Sequence, residues 1–178
     1  MELLRVTDIL NPFVDKTWLT DTGRERGSLV HIANANYARG VWMPPLPFEY
    51  QGYFESFQRW FDRYVKKVHL IETILEDLDM GFKGTPDLIV TMIDDIMTIP
   101  DYKTPKAKSP IWCGQLAAYQ HLATKNGYPA QKVGALRLHK DGKQAIFDHY
   151  STSPSDFIAF HAALTAYRYL MKGEFNGP

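Results

Sequence analysis

The spacing of apolar and polar positions divides the chain into segments of two different periods. Tyr53, Phe54, Phe57, Trp60, Phe61, Tyr64 and Val65 recur every three or four positions, while Gln51, Glu55, Gln58, Arg59 and Asp62 fill the remaining places. That period predicts an amphipathic helix with an aromatic face. The face reads as core, because base-stacking platforms usually sit on sheets or loops. A second helix is predicted from about Arg24 through His31 toward Tyr37, closing at or before Gly40, and the prolines of Met43-Pro44-Pro45-Leu46-Pro47 keep the connection between the two out of helix. Upstream, Asn11-Pro12 and Thr20-Asp21-Thr22-Gly23 suggest turns, and residues 1–23 carry little other pattern.

From Val68 the character becomes extended. Val68–Leu75, Asp87–Met92 and Ile96–Tyr102 predict three strands, interrupted by Asp77 to Gly84 and by Asp94-Asp95, and their close spacing favours antiparallel neighbours. Thr104 to Pro110 is a loop, with two prolines, two lysines and a serine; a helix from about Ile111 to Lys125 follows and is stopped by Asn126-Gly127. Val133–Leu138 and Gln144–Tyr150 read as a hairpin across Lys140-Asp141-Gly142. Ser153-Pro154-Ser155-Asp156 starts a last helix with a serine cap, which places Phe157, Phe160, Leu164, Tyr167 and Met171 on one face and stops at Gly173. No repeat or internal linker appears, so the expectation is one mixed α/β domain over residues 1–178.

Composition narrows the classes. Hydrophobic residues at 45% and charged residues at 22% of 178 fit a folded globular domain and argue against disorder or a coiled coil. No stretch approaches the ~18 consecutive apolar residues of a membrane helix, and Met1-Glu2-Leu3-Leu4-Arg5 lacks the pattern of a signal peptide; the expected compartment is the cytoplasm, with no membrane partner. Cys113 stands alone, which excludes an internal disulfide and a thiolate-ligated metal site within one chain. Metal chemistry here must use oxygen and imidazole. Twenty basic against twenty acidic residues give a net charge of zero, yet opposed clusters, such as carboxylates at a metal site and cations around a groove, sum to nothing in such a count.

The chemistry concentrates at Gly84-Thr85-Pro86-Asp87 and, fourteen positions after Asp87, at Asp101-Tyr102-Lys103-Thr104. Strand alternation points Asp101 and Lys103 to one face, which Asp87 at the start of a neighbouring strand can reach. Two carboxylates beside an ammonium suit Mg²⁺ or Mn²⁺ with room for water and a phosphate oxygen, the lysine stabilising the charge of a pentacovalent transition state.

Pro86-Asp87 and Asp101-Tyr102-Lys103 resemble the signature of the PD-(D/E)xK nuclease superfamily. Further features resemble its RecB-like exonuclease branch: Gly84 before the acid, Glu72 a dozen residues upstream, Gln115-Leu116-Ala117-Ala118-Tyr119 as a Q-x-x-x-Y helix motif, and Gly27 to His31 as an amino-terminal G-x-x-x-H motif. The resemblance spans about Gly23 to Ala123. It implies a restriction-endonuclease-like fold, a central mixed β-sheet flanked by helices. It also implies a metal-dependent nuclease that leaves a 5′-phosphate. On that reading Asp87, Asp101, Glu72 and His31 hold Mg²⁺ or Mn²⁺, Lys103 activates the water, and Gln115 orients Lys103 or the phosphate. Glu76 is the alternative upstream acid; Glu72 is preferred because it lies inside the apolar run, whereas Glu76 sits among Asp77 and Asp79. The four cysteines of iron–sulfur members are missing, so that cofactor is excluded.

The expected substrate is DNA, single- or double-stranded and attacked at its ends, in recombination, repair or phage DNA processing, with a separate recombination or repair protein as partner. A structure-selective endonuclease and a non-catalytic binding module of the same fold are the alternatives. Arg24, Arg26, Tyr119, Lys106 and Lys108 are the expected nucleic-acid contacts, with Arg59, Arg63, Lys66 and Lys67 as further candidates for phosphates. His69, His121, His139, His149 and His161 show no ligand spacing and read as structural.

Overall fold

Alternation along the strands decides how the layers stack. In the computed structural model, which describes residues 2–14, 20–42, 45–104, 108–151 and 154–171, Leu88 and Val90 face one layer of helices and Ile89 faces another. The elements run β1 (Leu4–Arg5), α1 (Val6–Leu10), a 3₁₀ turn (Asn11–Phe13), α2 (Asp21–Arg39), α3 (Phe48–Tyr64), β2 (Val65–Ile71), β3 (Leu75–Asp77) and β4 (Phe82–Gly84). Then follow β5 (Leu88–Met92), β6 (Met97–Lys103), α4 (Ile111–Lys125), β7 (Lys132–Arg137), β8 (Ile146–Tyr150) and α5 (Pro154–Met171).

Five strands form the main sheet in the order β2-β5-β6-β7-β8. The pairings are antiparallel except β6 with β7, which run parallel because α4 carries the chain back across the sheet. A small sheet, β1-β4-β3, joins the amino terminus to the middle of the chain. Leu88, Val90, Tyr102 and Leu136 pack against Val30 of α2 and against Tyr53, Phe57 and Trp60 of α3. The aromatic stripe is therefore core. Ile89, Ile99 and Val133 pack on the other face with residues of α1, α4 and α5, including Ile9, Leu116, Leu122 and Phe160. Helices thus flank a central mixed sheet, as expected.

Local chemistry sets the ends of α2. The Thr20 hydroxyl accepts from Gly23 N at 3.0 Å, and Gly40 closes the helix in the left-handed region at φ 68°. Several boundaries differ from expectation. α3 starts at Phe48, five residues before the aromatic period begins, and α2 starts at Asp21. The run from Val68 to Leu75 is broken: β2 occupies Val65–Ile71, and Leu75 opens β3. The first residues form β1 and α1, where Val6 and Ile9 are fully buried. Met171 is 63% exposed although it shares the spacing of the buried Phe160 and Leu164. Met43 and Pro44, the Ser153 cap and the Gly173 stop lie outside the described residues; Pro45 to Pro47 are non-helical.

One break in the sheet prepares the site. β5 and β6 pair only at Thr91 with Met97 and at Val90 with Thr98. The next β6 residue of the same parity is Pro100, which has no N–H to donate, so the ladder stops and the strands part. Beyond it the Tyr102 N–H points into the gap and donates to Asp87 Oδ2 at 2.5 Å.

A second buried acid holds the small sheet to α4. Asp77, fully excluded from solvent, accepts from the backbone N–H of Asp79 and Met80, from Lys125 Nζ at 2.8 Å, and meets His121 Nε2 at 2.7 Å. Burial alone raises a carboxyl pKa, but the bonds to Lys125, His121 and Met80 outweigh it and hold Asp77 well below the ordinary carboxylate range. The Asp77→Asn variant should lose about 1–3 kcal/mol in chemical denaturation. A depressed folded pKa contributes stability above the unfolded value of about 3.9 and loses it in acid, so the gap between wild type and variant should narrow as pH falls below about 4.

Candidate active site

The site lies where β5 and β6 part, and both helical layers contribute to it. Asp87, just before β5, is buried and spans the gap: Oδ2 accepts the Tyr102 N–H, and Oδ1 lies 3.2 Å from His31 Nδ1 on α2. Glu72 follows the last residue of β2 in the left-handed region, φ 42°, and its N–H donates to the Asp87 carbonyl at 3.0 Å. That bond ties the two acid-bearing backbones together. The ligand atoms of His31, Glu72 and Asp87 lie within 4.8 Å of one another, the one such cluster of three among the described residues. His31 is 30% exposed at its side chain, so the cluster opens to solvent.

From β6, Asp101 and Lys103 face α4 and form an ion pair with each other. Lys103 Nζ donates to Gln115 Oε1 at 3.2 Å and lies 5.4 Å from the centre of the Trp112 ring; Gln115 Nε2 in turn donates to Tyr119 Oη at 3.1 Å. The motif glutamine and tyrosine, one turn apart, form a relay that fixes the lysine.

The electrostatics follow from burying acids near one another. Burial raises Asp101 and Asp87 reinforces it, although Lys103 opposes both. Asp87 moves down: burial works against its charge, but His31, Lys103 and the Tyr102 N–H outweigh it. Glu72 is raised by burial and by Asp87. Burial would lower the His31 pKa, yet the charge and hydrogen bond of Asp87, helped by Asp101, raise it to about 9. A site that gathers positive charge in this way, with oxygen and imidazole donors converging, fits a hard divalent cation.

Of the two candidate upstream acids, Glu72 belongs to the cluster and Glu76 is an exposed residue of β3 in the small sheet. Arg26 donates from Nε to Thr104 Oγ1 at 3.4 Å and lies 5.4 Å from the Tyr53 ring centre, next to the end of β6. Arg24 pairs with Asp21 at 2.6 Å in an exposed position, and Lys108 pairs with Asp148 at 3.1 Å. Lys106 lies outside the described residues. Tyr119 is buried, its ring against Gly84. The Tyr102 N–H, Trp112 and Pro100 were missed by sequence reasoning; a proline within a strand beside D-x-K was the signal for the parted strands.

A family model described as the PD-(D/E)XK nuclease superfamily matches residues 42–175. The chain belongs to that superfamily. PD-(D/E)XK nucleases hydrolyse phosphodiesters with divalent metals, and Asp87, Asp101, Lys103, Gln115 and Tyr119 lie inside the match, while His31 on α2 precedes it. Among solved structures, a crystal structure from Eubacterium rectale described as "Putative exonuclease" resembles the chain with a TM-score of 0.59 at 13% identity, over 98% of this chain and 83% of that one. The search of curated proteins gave no match. Among the described residues, no helix is long and apolar enough to cross a membrane.

Two glycines of the motifs differ physically. A Cβ on Gly84 would stand 2.8 Å from Tyr119 Cε1 and 2.9 Å from Leu122 Cδ1, whereas one on Gly27, inside α2, meets nothing within 4 Å. Gly84→Ala should therefore destabilise by about 1–3 kcal/mol through overpacking, and Gly27→Ala should stabilise by about 0.5–1 kcal/mol through helix propensity. Urea denaturation of the two variants tests the pair, and the reverse order of effects would overturn this assignment of the glycines.

Proposed function

We propose that the chain is a metal-dependent deoxyribonuclease that removes nucleotides from DNA ends. The carrying observation is the convergence of His31, Glu72 and Asp87 within 4.8 Å, beside the Asp101–Lys103 pair. On this reading Asp87, Asp101, Glu72 and His31 would hold one or two Mg²⁺ or Mn²⁺ ions. Such an ion, when bound, polarises a phosphoryl oxygen and lowers the pKa of a water.

The chain's own groups do the rest. Lys103, held between Asp101 and Gln115, orients the attacking water and meets the negative charge that grows on the phosphate. Gln115 keeps Lys103 in place, and Tyr119 keeps Gln115 in place. As the water oxygen bonds to phosphorus, the bond to the 3′ oxygen breaks, and the product carries a 5′-phosphate. Arg26 bonds to Thr104, which with Tyr53, Arg137, His139, Lys140 and Asp141 lines a cavity of about 280 Å³, and Arg137 and Lys140 there offer cations to the phosphate backbone. Attack at ends, rather than within a strand, is supported by the His31 and Gln115–Tyr119 features that resemble the exonuclease branch and by the description of the Eubacterium rectale protein. Action alone or beside a separate recombination or repair protein completes the reading.

The test is incubation with end-labelled single- and double-stranded linear DNA and with covalently closed circles, in Mg²⁺, Mn²⁺ or EDTA. Wild type should digest linear DNA only in metal, and Lys103→Ala should cut at least about 100-fold more slowly. Cleavage of an unnicked circle would replace the exonuclease with an endonuclease; no cleavage by a folded wild type in any lane would favour a binding module. Mn²⁺ in hundredfold excess over its Kd should stabilise wild type by about 2.7 kcal/mol against unfolding, an effect that Asp87→Asn should abolish.

A further inference from the structure

Two cations face each other on the small sheet without a counterion. Arg5 on β1 and Lys83 on β4 are register partners in the parallel pairing, and both line a cavity of about 330 Å³. Like charges on adjacent strands destabilise a sheet. Neither side chain makes a hydrogen bond or ion pair among the described residues, and Glu76, across from Lys83 on β3, forms no ion pair with it. Thr7 and Thr85 add hydroxyls that have no hydrogen-bond partner among the described residues, and the Tyr119 ring forms a wall. Two unneutralised cations and two free hydroxyls around a concave space make a receptor for a tetrahedral oxyanion.

The position ties this cavity to the reacting groups. Thr85 lies two residues before Asp87 on the same connection. Tyr119, which walls the cavity, bonds through its hydroxyl to Gln115, and Gln115 bonds to Lys103. That relay joins the cavity wall to the lysine, and on the nuclease reading an anion held there is part of the strand being cut. We propose that the cavity framed by Arg5, Thr7, Lys83, Thr85 and Tyr119 binds a phosphate of the substrate strand other than the one attacked. The inference rests on the nuclease reading. The phosphate is either the terminal monoester at the DNA end or an internal diester next to the cut; both present the same oxygens, and a terminal monoester carries about −1.5 to −2 charges at pH 7 to match the two cations.

The test measures binding apart from cleavage, by fluorescence anisotropy with labelled linear DNA in EDTA, for wild type, Arg5→Gln, Lys83→Gln, Thr85→Val and Arg5→Lys. Arg5→Gln and Lys83→Gln should each weaken binding about tenfold and reduce the slope of log K against log salt by about one, while the charge-preserving Arg5→Lys keeps the slope. Thr85→Val should weaken binding and leave the slope unchanged. Inorganic phosphate should raise the melting temperature of wild type more than that of Arg5→Gln. Substrates ending in a 5′-phosphate, a 5′-hydroxyl or a 3′-phosphate distinguish the sources: an end preference that the variants lose identifies the terminal monoester, and an equal loss on all three identifies the internal diester. Wild-type affinity and slope in folded Arg5→Gln and Lys83→Gln would overturn the cavity. Binding that changes as expected in a protein that cuts nothing would overturn the nuclease reading and leave the cavity standing; a wild type with no affinity for DNA would overturn both.

Discussion

Where β5 and β6 separate, Tyr102 has an N–H with no strand to receive it, and the Asp87 carboxylate takes the place of the missing strand. A buried amide left unpaired costs on the order of 1–3 kcal/mol, so the geometry of the fork and the charge of Asp87 sustain each other. The same carboxylate reaches His31, and its backbone carbonyl receives the Glu72 N–H. One residue thus links β5, β6, the end of β2 and α2. The relay through Gln115 and Tyr119 adds α4, and each functional group sits on a strand end or a helix packed on the sheet.

Such a layout carries an electrostatic cost that the function reclaims. Buried carboxylates close together disfavour one another's charge, as the raised Asp101 and Glu72 show. The protein offsets this in part with His31 and Lys103, and with Arg39 near Glu72. On the proposed reading the carboxylates that remain attract a mobile dication, while Arg137 and Lys140 of the cavity beside Thr104 face the phosphates. The zero net charge of the chain conceals this separation.

Much of this was legible along the chain because short-range rules govern it. The α4 boundaries follow from Pro110 before it and Asn126-Gly127 after it, and the alternation of Asp101 and Lys103 follows from strand geometry alone. His31 and Glu72 were identified through motif spacing, and their meeting is a product of tertiary packing. β1, β3 and β4 are two or three residues long, too short for any period to show; they exist because they pair with one another. For the same reason Arg5 and Lys83, far apart in sequence, gave no hint that they are neighbours, and His121 gave none of its bond to Asp77. The Val68–Leu75 run misled because apolar residues stand on both sides of a bend at Glu72, where β2 ends and the chain passes to the small sheet at Leu75.

That turn has a cost of its own. At φ 42° an L side chain is disfavoured, and glycine or asparagine would sit there with less strain. Either replacement would remove the carboxylate that stands within 4.8 Å of His31 and Asp87, so on the proposed reading position 72 trades durability for reactivity.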